Sequence, residues 1–313
     1  MWATFLVLSL AHAEGMDPPE WTIASETVEA VRAVADRPVG ERIEAATRAY
    51  LGRAYQNEVT GEGTGTDADA PARYDRFDCM SLLEEALGMA LAGDPIGAPA
   101  IRDALRYTGA PGYTARNHFM EAQWIPNALQ AGLLEDITDR VGPARTLSHE
   151  VTLPMWQNWR GRRRFHLLDD QLPIGAWSVR YLDLAAAAEA APRIPPGAVV
   201  VTLRVPRPWS PVITTHVSMV VPGEKEPMMR HATRMGKQVV RDDRLSWYMA
   251  HLRDYVNWPA LGVMVLMPRE QGPTRAALLP SLVPTTPFPE ASGDLPHFEA
   301  RPLTPLQVGD DPA

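Results

Sequence analysis

An α+β fold is predicted for this chain, on three observations. The N-terminal half carries apolar residues at helical spacing, the C-terminal part carries short apolar or β-branched runs, and the change of character falls at Pro195-Pro196-Gly197. A helical half followed by an antiparallel sheet is the α+β plan, here with one central helix of the N-terminal half packed on the sheet.

Taken in order, residues 24–50 place Val28, Val31 and Val34, then Ile43, Ala46 and Tyr50, at helical spacing on either side of Pro38-Val39-Gly40, which predicts a pair of short helices. Residues 57–70 are rich in Gly, Thr and Asp and read as loop. Asp78 is an N-cap candidate, and the stretch from Cys79 to Leu91 is apolar around most of its circumference, as in a helix buried in a core. A further helical stretch, 116–135, surrounds Trp124, Ala128 and Leu129 and is interrupted at Pro126. Residues 155–166 are aromatic and basic, with Arg160, Arg162, Arg163 and Arg164 close together, and Leu184 to Ala191 suits a short connecting helix. Strands are predicted over 198–203, 216–221, 228–232, 238–241 and 261–267, with Pro222-Gly223 and Met235-Gly236 as turns.

The two ends differ from the body. Residues 2–11 form an apolar run that stops at Ala11-His12-Ala13, the pattern of a secretory signal cleaved before Glu14, although no basic residue precedes it. The run is far shorter than the ~20 residues a membrane span needs, so no membrane span is expected. A buried N-terminal strand is the alternative. Residues 271–313 are rich in Pro and Thr without any period and read as a disordered tail or tether. The expected organisation is a signal over 1–13, one domain with insertions over 14–270 and the tail over 271–313, in an exported, periplasmic or extracellular protein. A net charge of −8 argues against a nucleic-acid partner, which would need a basic face.

The chain has 1 cysteine. In an oxidising compartment a lone thiol risks mixed disulfides unless it is buried as a small hydrophobe or has a task. Cys79 follows the capping Asp78 at a helix start, where the partial positive charge of the helix N-terminus is expected to lower its pKa below ~8.5 and favour the reactive thiolate. A thiol nucleophile also needs an imidazole to take and return a proton. Of the 8 histidines, His12 and His297 lie in the ends, His149, His166 and His251 in charged segments, and His118 in the helical region. His216 and His231 sit inside predicted strands. A hairpin through Pro222-Gly223 would set His231 beside His216, where it could hold the second ring nitrogen and fix the tautomer, as the third member of a triad does. A strand imidazole can equally be a satisfied core residue.

The residues that carry a resemblance are Phe77-Asp78-Cys79-Met80-Ser81-Leu82-Leu83-Glu84, Gly112-Tyr113-Thr114-Ala115-Arg116-Asn117-His118-Phe119, Trp124-Ile125-Pro126-Asn127 and Gly132-Leu133-Leu134-Glu135-Asp136-Ile137-Thr138. Thr215-His216-Val217-Ser218-Met219, Arg230-His231-Ala232-Thr233, Val239-Val240-Arg241-Asp242 and Leu245-Ser246-Trp247-Tyr248 continue it in order. Together, over roughly residues 40–268, they resemble the N-acetylmuramoyl-L-alanine amidase-like family, within the NlpC group of papain-like cell-wall hydrolases. The resemblance implies a papain-like fold and cysteine-dependent amide hydrolysis in peptidoglycan or muropeptides, with no cofactor or metal. It places Cys79, His216 and His231 as the catalytic set. Leu51-Gly52-Arg53-Ala54-Tyr55 is similar to a Gly-x-Pro-Tyr segment, with Ala54 in place of Pro, so Tyr55 joins Asp78, Arg116, Asn117 and His118 as candidate substrate-binding residues. The stretch from Trp156 to His166 has no counterpart in the resemblance, and its arginines read either as a carboxylate-binding cluster or as a solvated loop.

The resemblance favours the bond between the muramic lactyl group and L-Ala. A γ-D-glutamyl-diamino acid endopeptidase of the same fold, a zinc hydrolase built on His216, His231 and Asp242, and a non-catalytic wall-binding module are the competing readings.

Overall fold

The computed structural model describes residues 23–270; the expected signal and tail lie outside them. The chain opens with α1 (Ser25–Ala33) and α2 (Val39–Thr47), the predicted pair. β1 (Ala54–Tyr55) and β2 (Arg76–Phe77) then pair in parallel around the predicted loop, Ala54 opposite Arg76 and Tyr55 opposite Phe77. Next come α3 (Cys79–Ala92), α4 (Ala98–Arg106), α5 (Ile125–Gln130), β3 (Leu134–Asp136), α6 (Thr138–Val141), β4 (Arg145–Val151) and α7 (Leu153–Asn158). The rest is β5 (Gly175–Asp183), α8 (Leu184–Ala190), β6 (Val199–Arg204), β7 (Thr214–Val221), β8 (Met228–Ala232), β9 (Val240–Arg244), α9 (Leu245–His251) and β10 (Ala260–Pro268).

The architecture is α+β, as predicted. One antiparallel sheet runs β4-β5-β10-β6-β7-β8-β9, with β3 beside the end of β10. Strand alternation divides its apolar side chains between two layers. Val199, Val201, Val217 and Met219 pack in one cluster with α2 and α3, whereas Val200, Val220, Val263 and Val265 pack in another with α8 and α9. Helices therefore cover both faces. β5 approaches β10 so closely that a Cβ on Gly262 would lie 1.9 Å from the Leu182 carbonyl oxygen, which only glycine allows.

α3 is the axis of the domain. Every residue from Ser81 to Leu91 is buried, and Gly93 stops the helix in the left-handed region at φ 69°. Leu82, Leu83, Leu87 and Leu91 each contribute roughly 2 kcal/mol by leaving water. Two buried glutamates on α3 are paired and anchor its surroundings. Glu84 accepts from Arg106 Nε at 2.6 Å and from Trp124 Nε1 at 3.1 Å, and Glu85 accepts from Arg102 at 3.2 Å and from the Tyr74 hydroxyl at 2.9 Å. These bonds fix α4 and the segment before α5 on the buried helix. A buried carboxylate left without its cation would cost several kcal/mol.

The predicted helix over 116–135 is shorter than its pattern. A π-helical turn, Met120–Trp124, runs into α5, Pro126 sits in the first turn of α5 where its missing N–H does no harm, and the chain becomes β3 at Leu134. Strands β3, β4 and β5 and helix α4 were not predicted. β4 lies at the sheet edge with alternate residues in solvent, so Arg145-Thr146-Leu147-Ser148-His149-Glu150-Val151 lacks the apolar run by which the inner strands are read.

Candidate active site

Cys79 is the first residue of α3 and is half-buried. Asp78 caps the helix: its Oδ1 accepts from Ser81 N at 2.7 Å while Ser81 Oγ accepts from Asp78 N at 3.0 Å. This reciprocal box satisfies two otherwise orphaned amides and fixes where the helix begins. Asp78 Oδ2 also accepts from Glu58 N at 3.1 Å, tying the preceding loop to the same point. The expected fall in the thiol pKa is not found. Burial, and then the Asp78 carboxylate, push Cys79 up to about 12, against the opposing pull of the backbone N–H groups of Val217, Cys79 and Met80. Desolvation outweighs the helix terminus here, so the resting sulfur is a neutral thiol.

The Val217 amide aimed at the sulfur belongs to β7, one residue past His216. That contact brings the start of α3 against the strand bearing the imidazole. β7 and β8 form the predicted hairpin, with Met219 opposite Arg230 and Val221 opposite Met228. This register puts His216 and His231 on one face as diagonal neighbours. His216 Nε2 lies 2.7 Å from His231 Nδ1, and His231 Nε2 lies 3.1 Å from Asp243 Oδ2 on β9. Arg241 grips the same oxygen from Nη2 at 2.7 Å and Nε at 3.1 Å. Burial alone would raise the Asp243 pKa, but the hydrogen bonds and charges of His231 and Arg241 outweigh it and hold the carboxyl below its usual range.

The chain of bonds assigns the protons. An ionised Asp243 can only accept, so His231 donates from Nε2 and accepts at Nδ1, and His216 donates from Nε2. The Nδ1 of His216 is then an unprotonated lone pair. No hydrogen bond among the described residues engages it, and none joins it to the Cys79 sulfur. Burial first, then His231 and Arg204, depress His216 to about 3, so it rests as neutral imidazole. The Tyr248 ring stands 6.3 Å from the His216 ring and 5.9 Å from that of His231, with its hydroxyl 2.8 Å from Thr202 Oγ1. Buried Glu121 holds the entry of β7 by accepting from Ile213 N at 2.9 Å and Thr214 Oγ1 at 3.0 Å.

Asp243, Tyr248 and Glu121 went unassigned in the sequence. The signal for Asp243 was parity: His231 pairs with Arg241, so the residue two further on shares its face. Asp242, considered for a zinc site, is on the opposite face and makes a bidentate pair with Arg230 at 2.7 Å for both contacts. Among the described residues no group of three His, Cys, Asp or Glu side chains is arranged to hold a metal ion.

Tyr55 reaches the site through the β1–β2 pairing, which sets it beside Phe77, two residues before Cys79. Its hydroxyl donates to Asn57 Oδ1, and burial followed by the proximity of Cys79 and Asp78 raises its pKa. Arg116, Asn117 and His118 make their bonds to other residues. Arg116 pairs with Glu62 at 2.6 Å and Asp67 at 3.1 Å, and buried Asn117 donates to the Leu105 carbonyl at 3.0 Å. His118 Nε2 lies 2.8 Å from the Tyr113 carbonyl oxygen, its ring packs on Tyr113 and Phe165, and burial depresses it to about 4. No hydrogen bond or ion pair links the three to Cys79, His216 or His231. The arginines from Arg160 to Arg164 lie exposed on a 3-10 turn beside the buried Trp156.

Residues 45–254 match the model of the AmiA-like family, described as N-acetylmuramoyl-L-alanine amidase-like. The chain belongs to this family. Membership suggests a hydrolase with peptidoglycan amidase activity. No curated protein sequence matches the AmiA-like chain. Solved structures do. A Legionella pneumophila protein aligns with TM-score 0.66 at 21% identity over 78% of this chain and 93% of its own. An N-acetylmuramoyl-L-alanine amidase from Bacteroides uniformis aligns with TM-score 0.60 at 22% identity, over 74% and 99%. A protein named a putative xylanase, from Bacteroides fragilis, aligns with TM-score 0.57 at 20% identity, over 70% and 98%. At these identities the structures speak for a shared fold alone.

Proposed function

We propose that the chain is an exported cysteine amidohydrolase of papain-like, NlpC type that cuts the amide between N-acetylmuramic acid and L-Ala in peptidoglycan or its fragments. The observation that carries the reading is that the Cys79 sulfur, at a capped helix start, meets the amide of Val217, the neighbour of a His216 whose Nε2 is committed to His231 and whose Nδ1 is not. A base with one nitrogen anchored and the other bare is what proton transfer from a thiol requires.

With both groups neutral at rest, His216 Nδ1 takes the thiol proton as the sulfur attacks the lactyl carbonyl. The tetrahedral oxyanion is received by backbone N–H groups at the start of α3. The imidazolium then gives its proton to the leaving L-Ala nitrogen, and the C–N bond breaks to leave a thioester. Water, deprotonated by the same Nδ1, attacks the thioester, and the proton returns to the sulfur as the free lactyl acid departs. His231 and Asp243 hold the tautomer throughout. Tyr55, Asp78, Arg116, Asn117 and His118 border the substrate path in this reading, the last three through the loops they fix.

Digestion of purified muropeptides, with fragments identified by mass, tests it. Release of intact stem peptides from the disaccharide by the wild type and not by Cys79→Ala is the expected result. Cleavage only between D-Glu and the diamino acid would replace the amidase reading by the endopeptidase one. Equal cleavage by Cys79→Ala would remove the nucleophile, and binding of wall material without any cleavage would favour a binding module.

A further inference from the structure

Beside the base lies a cavity of about 310 Å³ whose wall includes Arg204, Thr215, Tyr255, Asn257 and Trp258. Thr215 precedes His216, so the cavity opens directly off the catalytic strand. Its floor is an unusual cation. Arg204 is only 8% exposed, yet no carboxylate among the described residues lies within ion-pair distance of it. The guanidinium is held in place by neutral groups alone. Nε donates to Thr215 Oγ1 at 2.9 Å, Nη1 donates to the Trp258 carbonyl at 2.9 Å, and the Tyr255 ring lies 3.9 Å from the guanidinium carbon. Its Nη2 has no hydrogen-bond partner among the described residues. The acid that also lines the cavity, Asp254, is bonded to His251 at 2.8 Å. A buried charge without a counter-ion is costly, and folds that keep one ordinarily supply the counter-charge from elsewhere.

We infer that this cavity is the subsite for a carboxylate of the stem peptide, with Arg204 as the group that binds it. The inference deepens the amidase reading and rests on it. The side of the site follows from proton traffic: His216 protonates the leaving amine, so the leaving peptide lies on the His216 side, where the cavity opens. Arg204 stands two residues along β6 from Thr202, the residue paired with His216, which keeps the guanidinium on the strand next to the base. A guanidinium with Nη2 left to donate into the cavity suits a charged carboxylate over its neutral amide.

The test compares two substrates, N-acetylmuramoyl-L-Ala-D-Glu and its α-amide, N-acetylmuramoyl-L-Ala-D-isoglutamine, and measures binding of the released dipeptides L-Ala-D-Glu and L-Ala-D-isoglutamine to the Cys79→Ala protein. The wild type is expected to prefer the free acid by about tenfold or more in kcat/KM, mostly through KM, and the acid dipeptide to bind correspondingly tighter than its amide. Arg204→Gln is expected to abolish both preferences, and Arg204→Lys to restore part of them. Equal kcat/KM for acid and amide in the wild type overturns the subsite without touching the amidase reading. If neither substrate is cleaved, the amidase reading is decided by the muropeptide digestion and the subsite by the dipeptide measurement alone: equal or absent binding of the acid overturns it.

Discussion

His216 and His231 meet through unlike nitrogens, Nε2 of the first lying 2.7 Å from Nδ1 of the second. The polarity of this contact is set two strands away, by a carboxylate that can only accept. Asp243 thereby determines which nitrogen of His216 is bare, although it touches neither that residue nor the sulfur.

Asp243→Asn is therefore expected to be far more damaging than its size suggests. An amide can donate to His231, which reverses both bonds and puts the proton on His216 Nδ1. A fall in kcat of roughly 10²–10⁴ with KM little changed is expected, by analogy with the wrong-tautomer effect of the same substitution in serine-protease triads. Steady-state kinetics on a muropeptide checks it, and a variant within threefold of the wild type would remove Asp243 from the relay.

The rate should survive acid better than that of an enzyme with an ordinary histidine. In the proposed mechanism His216 works only when neutral, and burial first, then His231 and Arg204, hold its pKa near 3. The acid limb of kcat/KM, which reports the free enzyme, should lie well below the usual ~6.5. Rates measured between pH 4 and 8, with circular dichroism to confirm folding, decide the matter. An acid limb centred between pH 6 and 7 would show that the base is not depressed.

Thiol reactivity should run the other way. Because Cys79 is pushed up to about 12, its alkylation by iodoacetamide should be slow at pH 7 and climb steadily through pH 9. Asp78→Asn keeps an oxygen for the helix cap and removes the charge that helps raise the thiol. It is expected to speed alkylation at pH 8 severalfold with little loss of stability. A rate already on a plateau at pH 6 would mean a preformed thiolate–imidazolium pair.

Stability should decline on mild acidification. The folded state holds His216 and His118 neutral, with pKa values near 3 and 4, while the unfolded chain binds protons there below ~6.5. Over the interval between, the unfolded state carries more protons, so unfolding free energy falls as pH drops. Urea midpoints at pH 7.5, 6.0 and 5.0 should decrease in that order, and the variants His118→Gln and His216→Gln should each flatten the trend. A midpoint unchanged down to pH 5 would contradict it.

What the sequence made legible follows from the reach of each signal. Cys79 was readable because its cap, Asp78, is adjacent and the apolar pattern of α3 is long. The two histidines were readable because alternation within a strand is local and Pro222-Gly223 marks their hairpin. Asp243 was not, since choosing between it and Asp242 requires the β8–β9 register, which the intervening turn sets and the composition does not disclose. Arg204 was missed for a related reason: it lies inside a fully buried strand, and its cavity is completed by Tyr255 and Trp258, some fifty residues later. The direction of the Cys79 pKa was misread because the helix terminus is visible in the sequence while desolvation exists only after the chain has packed around it.

The neutral thiol has a consequence for the lifetime of the protein. Oxidation by peroxides and exchange with small disulfides begin with attack by the thiolate, which Cys79 rarely presents at neutral pH. In the proposed mechanism its reactivity arises only when His216 accepts the proton during attack on a bound carbonyl. The same burial that delays the nucleophile thus acts as a safety catch, sparing an unpaired sulfur from oxidation through the long intervals in which the cleft is empty.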